Sequence, residues 1–563
     1  MRSGATPSPI RNQLGLNRGG PGGEDRGVSA TSTPSRPVRP ARSGGIPGSV
    51  AAVLGVLAVA AALGAGQLVA GLVAPGASPF LAVGDGVIRL SPQVLTEFAK
   101  TTFGTADKMV LLTGMAVVIV AVAAIAGLLS RYQARPGVVT VTVLGLLGFA
   151  AVILAPAFAP LDLLAPAAAL VAGVGVFRAL HRLAVRAYQA EPLLGPTERP
   201  EPSGGMSRRG MLVGSSAAVG LLSLAAGAGG SWLGGRAQKS QQVVADDLAR
   251  IPLAERAPAI PAGAAFPQFG TPTFLTSNQD FYRIDVALRI PTQAAADWTL
   301  RIHGMVDREI TLTYADLLAR PLVERTITMT CVSNPVGGDL ISTANFIGVE
   351  LRDILLEAGV RPGAEQLFST SIDGWTAGTP VDVVLEPDRG ALLAIGMNGE
   401  PLPPEHGFPV RMVVPGLYGF VSATKWITDM EVTTFGAAQA YWLQRGWSQR
   451  APIKTQTRID FPRGFGSVPA GRVTVAGIAW AQHTGVDRVE VRMDGGPWQQ
   501  AELSTEVSAD TWRMWTAEFQ LAPGSHTVQT RATDRRGVVQ TETRADPVPD
   551  GATGWPAVIF TTA

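Results

Sequence analysis

The chain has 563 residues, 46% of them hydrophobic and only 16% charged, and its 46 Lys and Arg against 44 Asp and Glu leave a formal net charge of +2. That balance argues against a nucleic-acid binder, because no basic surplus exists to neutralise phosphates, and the apolar excess points to membrane segments. A single cysteine excludes internal disulfides and cysteine-built zinc or iron–sulfur centres.

Residues 1–48 are rich in Gly, Pro, Ser and Arg without a hydrophobic period, and read as a disordered cytoplasmic arm. Five apolar runs follow, near 49–74, 109–130, 137–155, 160–177 and 211–234. A run of roughly 18 apolar residues is long enough to cross a bilayer, so 49–235 reads as a transmembrane anchor of about five helices, the third and fourth forming a hairpin. The basic residues of short loops set the orientation. The arm lies inside, the loop 75–108 with its cancelling charges outside, and Arg131, Arg135, Arg178, Arg182, Arg186, Arg208 and Arg209 inside. Five crossings then place everything after about residue 235 outside the cytoplasm, as a multi-pass protein of the cell membrane.

Ser207-Arg208-Arg209-Gly210-Met211-Leu212, ahead of a small-residue apolar run, resembles a twin-arginine export signal. That route moves folded domains, although two arginines obeying the charge rule leave the same letters. A membrane haem needs two facing histidines, and only His181 lies near these helices. The bundle therefore reads as an anchor or partner-docking unit.

Residues 236–265 form a polar, Ala/Pro-rich linker. From 266 to about 435, short strands such as 298–302 and 411–414 alternate with short helices such as 314–319 and 351–358, which gives an α+β domain. Within it 326–331 alternates as a strand ending at Cys331. Beyond Trp442 and Trp447, residues 452–563 turn to β-type runs separated by turns such as Asp494-Gly495-Gly496, the pattern of an all-β Ig-like sandwich.

Three groups of residues carry chemistry. Cys331 sits at a strand end, where a loop can aim a thiolate suited to a heavy transition metal; a lone cysteine is otherwise a small buried hydrophobe. His406, Arg411 and Lys425 lie on Pro/Gly-shaped loops around a short strand, a set that suits an anionic ligand, or that is ordinary surface charge. In Ser277-Asn278-Gln279-Asp280-Phe281-Tyr282-Arg283, Asn278 can donate and accept while Phe281 and Tyr282 can stack on a flat heterocycle; a capping turn with core aromatics explains the same residues.

Taken in order, several stretches resemble the sulfite oxidase family of molybdopterin enzymes. They are Thr328-Met329-Thr330-Cys331-Val332-Ser333-Asn334, then Asp373-Gly374-Trp375, Met397-Asn398-Gly399-Glu400-Pro401, and His406-Gly407-Phe408-Pro409-Val410-Arg411 through Lys425-Trp426. The tail resembles that family's Ig-like dimerisation domain through Arg488-Val489-Glu490-Val491-Arg492-Met493 and Asp550-Gly551-Ala552-Thr553-Gly554-Trp555. The resemblance implies a molybdenum–molybdopterin cofactor with Cys331 as the metal's protein ligand and catalytic centre. It places the pterin against Asn278, Phe281, Tyr282 and Ser371, and its phosphate near His406, Arg411, Ser422 and Lys425. It also implies oxygen-atom transfer on a small substrate, electrons passing to a separate carrier (a cytochrome or a quinol-linked protein), and a homodimer through the C-terminal domain. Trp375 and Gln279 depart from the pattern of the sulfite-oxidising members, which argues against sulfite. Two rivals remain, a sulfoxide or N-oxide reductase fed by a quinol-linked partner and a metal-free membrane-tethered binding module.

Overall fold

The structure, a computed structural model, describes residues 45–73, 77–92, 95, 98–99, 102–103, 106–155, 158–189, 208–233, 236–288 and 290–563. The arm expected over 1–48 lies outside the described residues up to 44, as does Ser207 of the paired-arginine motif. The apolar runs become helices α1 (Gly48–Val73), α3 (Asp107–Leu129), α4 (Arg135–Ile153), α5 (Leu164–Gln189) and α6 (Arg208–Leu233), with a further helix α2 (Pro79–Leu90) between the first two. Among the described residues four stretches are long and apolar enough to cross a membrane: Gly48–Val73, Asp107–Leu129, Arg135–Ile153 and Pro160–Tyr188. Of the expected fifth run, Leu212–Ala225 is an apolar stretch of α6, and the side chains that follow it lie outside the described ones. The loop expected over 75–108 holds α2, a helix begun by Pro79 at its first turn.

Small residues bring these helices into backbone contact. A Cβ on Gly55 would lie 2.0 Å from the Ala123 carbonyl oxygen, and one on Gly127 would lie 2.0 Å from that of Ala51, so α1 and α3 touch reciprocally. Lipid tails are as apolar as leucine, and close van der Waals approach of this kind is what holds helices together in such a solvent. His181 is buried beside Phe177 and bonds the Ser130 carbonyl at 2.8 Å.

The expected linker is, over its first half, helix α7 (Arg236–Arg250). Val244 and Leu248, one turn apart, form its apolar stripe. Val244 is buried in the core of the following domain, and the Gln241 amide donates to the Leu402 carbonyl at 3.2 Å. This amphipathic spacing was hidden by the polar residues around it.

The following domain has ten strands: β1 (Thr299–Gly304), β2 (Ile310–Thr313), β3 (Val323–Thr330), β4 (Ile341–Glu350), β5 (Gln366–Ser371), β6 (Thr376–Pro380), β7 (Leu392–Met397), β8 (Glu400–Pro401), β9 (Arg411–Val413) and β10 (Ile427–Thr433). One sheet runs β2-β1-β10-β5-β6, with β1 and β10 parallel; the other runs β3-β4-β7-β8, with β9 also on β7. Helix Tyr314–Leu318 starts at a capping box in which the Thr313 hydroxyl accepts from the Asp316 amide. Helix Leu351–Ala358 buries Leu351, Ile354, Leu355 and Ala358 and stops at Gly359, whose φ of 72° a side chain would resist.

Residues 456–562 build two further sheets. One pairs Gln456–Phe461, Gly471–Trp480, Arg513–Leu521 and Glu502–Leu503; the other pairs Ser467–Val468, Ala557–Thr562, Gly524–Asp534, Val486–Met493 and Gln499–Gln500, each in that order. Both face a shared core that includes Val475, Val489, Trp515, Val528 and Phe560. This β-region also braces β3. The Trp512 amide donates to the Thr328 hydroxyl at 2.8 Å, the Thr328 amide donates to the Asp510 carbonyl at 2.9 Å, and the Gln482 amide reaches the Thr328 carbonyl at 3.2 Å.

Gly127→Ala is expected to lower the stability of the detergent-solubilised chain by about 1–3 kcal/mol, since the new methyl meets backbone that cannot yield. Gly114→Ala, on the same helix with nothing within 4 Å of the added carbon, should be near neutral. Thermal unfolding of the two variants measures the difference.

Candidate functional site

Cys331 follows directly on β3 and is 8% exposed. Its amide donates to the Leu340 carbonyl at 3.0 Å and its carbonyl accepts from the Asn334 amide at 3.1 Å, while Asn334 Oδ1 accepts from the Leu340 amide at 3.0 Å. The loop 331–340 is thus closed on itself, and the thiol is aimed by a strand braced from behind. Tyr282 lies close enough that burial first, and the Cys331 sulfur second, push its phenol well above the usual range, partly offset by Arg411.

Beside the cysteine sits a cluster of cations. Arg411 begins β9 and is 2% exposed. One of its terminal nitrogens donates to the His406 carbonyl at 3.1 Å, and its guanidinium lies 5.7 Å from the centre of the Phe346 ring. Its Nε is buried without a partner, and no carboxylate pairs with it among the described residues. Burial pulls its pKa down to about 10, so it stays charged at neutral pH. Lys425 donates to the Glu405 carbonyl at 2.8 Å and lies 3.4 Å from Asp285. Burial pulls it down to about 8, aided by Arg411 and Arg283 and opposed by Asp285.

His406 is 2% exposed, and its Nε2 donates to the Asn278 carbonyl at 3.0 Å, which leaves Nδ1 as an acceptor. Burial, with Arg411 and Lys425 beside it, lowers its pKa to about 3, so the ring is neutral throughout the physiological range. The site therefore holds two buried positive charges and a neutral imidazole.

The remaining expected residues divide. Tyr282 joins the cluster, while Phe281 is buried and packs between Tyr282, Phe346 and His406. The Asn278 side chain is spent on the hairpin at 397–400, bonding Met397, Asn398 and Glu400; it touches the site through its carbonyl. Ser422 commits its hydroxyl proton to the Leu417 and Tyr418 carbonyls, 3.0 Å each, and so closes its own loop. Ser371 is buried at the end of β5, where its backbone pairs with Trp375 around Asp373. Burial raises the Asp373 carboxyl, with Asp285 adding to the rise. Gln279 is exposed and lies at the rim.

Sequence reasoning missed Asp285 and Arg283. Arg283 Nε pairs with Asp285 at 2.7 Å, and the carboxylate side chain is 5% exposed. Burial would raise Asp285, but Lys425, Arg283 and Lys108 outweigh it and hold the carboxyl well below the usual range. The alternating Arg283-Ile284-Asp285 letters were a faint signal; nothing in the sequence pointed to Lys108.

Such a set, buried cations with an unpaired guanidinium edge beside an aimed thiol, fits an anionic cofactor that brings its own metal. Among the described residues no three His, Cys, Asp or Glu side chains converge on a metal position. A metal at Cys331 would accordingly take its other ligands from the cofactor.

The family model and the sequence relatives agree with that reading. The family model for the oxidoreductase molybdopterin binding domain matches residues 287–442. Sulfite oxidase of Gallus gallus is 31% identical over 299 residues, covering 45% of this chain and 64% of that protein. The uncharacterized oxidoreductase YuiH of Bacillus subtilis is 35% identical over 153 residues, covering 27% of this chain and 73% of that protein. The sulfane dehydrogenase SoxCD from Paracoccus pantotrophus overlays with a TM-score of 0.45 at 20% identity, covering 54% of this chain and 88% of that chain. The chain spans 64% of the length of the chicken enzyme and 55% of that of the human one, so both relatives extend beyond what it matches.

Since Lys425 loses its proton around pH 8, cofactor-free protein should bind sulfate, whose own charge does not change there, more weakly as pH rises from 7 to 9. Lys425→Met should remove that dependence. Titration calorimetry on both proteins measures it, and a flat profile in the wild type would show that the lysine does not face the anion.

Proposed function

We propose that this chain, which belongs to the sulfite oxidase family of molybdopterin-dependent oxidoreductases, is a membrane-anchored enzyme whose catalytic domain works outside the cytoplasm, transferring an oxygen atom to or from a small substrate. The observation that carries this reading is the buried Arg411, which has no carboxylate partner among the described residues, set against a cysteine at the end of a braced strand. Leaving such a charge uncompensated costs several kcal/mol, and a pterin phosphate would supply the missing anion.

When bound, the molybdenum–molybdopterin group supplies two-electron oxygen-atom chemistry. The chain's own residues do the rest. Cys331 offers a thiolate as the protein ligand, and its closed loop keeps the sulfur from swinging. Arg411 and Lys425 hold the phosphate, and neutral His406 presents Nδ1 as an acceptor to a ring N–H. Tyr282 stays protonated and so can donate a hydrogen bond at the metal side. Trp375, half-buried on the Asp373 loop, departs from the sequence pattern of the sulfite-oxidising members that the chain resembles, so neutral sulfur compounds are the first substrates to screen.

The membrane assignment is supported by the outward apolar faces of the bundle, where Val117, Val118, Leu221 and Leu224 are each more than 60% exposed. An extracytoplasmic site requires α6 to cross as well, since four crossings would return the chain to the side on which it began. Protease added to intact spheroplasts should then cut the catalytic region; protection until lysis would place it in the cytoplasm. Electrons would pass to a separate carrier, a cytochrome or a quinol-linked protein. Two copies would pair through the Ig-like C-terminal region, where Phe465 is 90% exposed.

Full-length protein made in a host that synthesises molybdopterin should contain near-stoichiometric molybdenum and pterin. Cys331→Ser should keep the pterin and change the molybdenum spectrum. Folded wild-type protein with neither would favour a tethered binding module, and its sedimentation as a monomer would remove the dimer.

A further inference from the structure

The membrane bundle reaches into the cofactor region. At the head of α3, Lys108 Nζ lies 2.7 Å from Asp285 Oδ1, 3.1 Å from the Asp285 carbonyl and 2.6 Å from the Ala287 carbonyl. An ammonium has three N–H donors, and all three are used on one short segment 177 residues away in the chain. Helix α2 holds the next residue. A Cβ on Gly84 would come within 2.6 Å of the Leu288 side chain, and the Asp85 carboxylate accepts from the Leu288 amide. The segment 285–288 is therefore gripped from the bundle at both ends. Its other oxygen, Asp285 Oδ2, faces the site, toward Arg283 at 2.7 Å and Lys425 at 3.4 Å.

We propose that Lys108 is a positioning residue for the cofactor lysine: by pinning 285–287 to the bundle it keeps Asp285 opposite Lys425. The inference rests on the reading that Lys425 holds the pterin phosphate. Around that ammonium the charged and titratable groups are Asp285, Arg283 and Arg411, with His406 and Asp373 also within its field. Of these Asp285 does most to favour its charged form, with Asp373 adding a smaller pull. Withdrawing the carboxylate leaves Lys425 among like charges in a buried place, where the ammonium gives up its proton at lower pH. The anchor would thus maintain the electrostatics of the phosphate subsite as well as tether the domain.

The test uses full-length, cofactor-loaded protein in detergent, and follows pterin release by fluorescence after dilution across pH 6–10. Lys108→Met should release pterin about tenfold faster at pH 7, on the scale of one lost charge-assisted hydrogen bond. Its release should also accelerate at a lower pH than in the wild type. Asp285→Asn should move the profile in the same direction, and Lys108→Met added to it should move the profile no further. If Lys108→Met does not accumulate, Lys108→Arg carries the same comparison, with a smaller shift expected. A variant that melts earlier yet keeps the wild-type release rate and pH profile would overturn the proposal and leave Lys108 a docking contact. Wild-type protein without pterin would instead overturn the reading of the site itself.

Discussion

A guanidinium that is 2% exposed and, among the described residues, has no carboxylate to pair with is the constraint around which this site is arranged. Desolvating a charge costs several kcal/mol even after relaxation, and here the protein offsets that cost only in part, with one carbonyl hydrogen bond and an aromatic face. The surroundings follow from it. His406, held between Arg411 and Lys425, cannot take a third positive charge and stays neutral. Lys425 is protonated but only loosely so, kept that way by Asp285. The place is tuned for a ligand that arrives with negative charge.

Precise aim requires a rigid back wall, and two domains share that task. Thr328, three residues before the cysteine, is bonded from the C-terminal sheets at its amide, its hydroxyl and its carbonyl, while β4 pairs with the strand's full length. Trp480, Trp512 and Met514 belong to the same buried cluster as the catalytic core. The C-terminal region is part of the mechanical support of the thiol, whatever surface it offers to a second copy.

What the sequence made legible is local. The alternation into Cys331, the capping box at Thr313 and the apolar face of 351–358 all follow from periods and turn chemistry that act over a few residues. The ordered motifs also pointed to His406, Arg411 and Lys425. Roles that depend on distant partners were not legible. Asn278 and Ser422 look like ligand-binding side chains by type, yet each is consumed by backbone or hairpin groups that come near only in the fold. The amphipathic stripe of α7 is two residues, Val244 and Leu248, in a segment whose composition reads as polar. Asp285 and Lys108 acquire meaning only when a bundle and a globular domain meet.

The docking of α7 has a mechanical outcome. Thirty residues of extended linker would span roughly 100 Å, enough for the globular part to swing freely above a bilayer and meet carriers at many heights. With Val244 buried in that part and α6 packed along α1, so that a Cβ on Gly64 would strike the Ser223 carbonyl, little slack remains. In the membrane-anchored reading proposed above, the catalytic region would be held at a fixed height and orientation, and its redox partner would have to work in the thin layer next to the lipid.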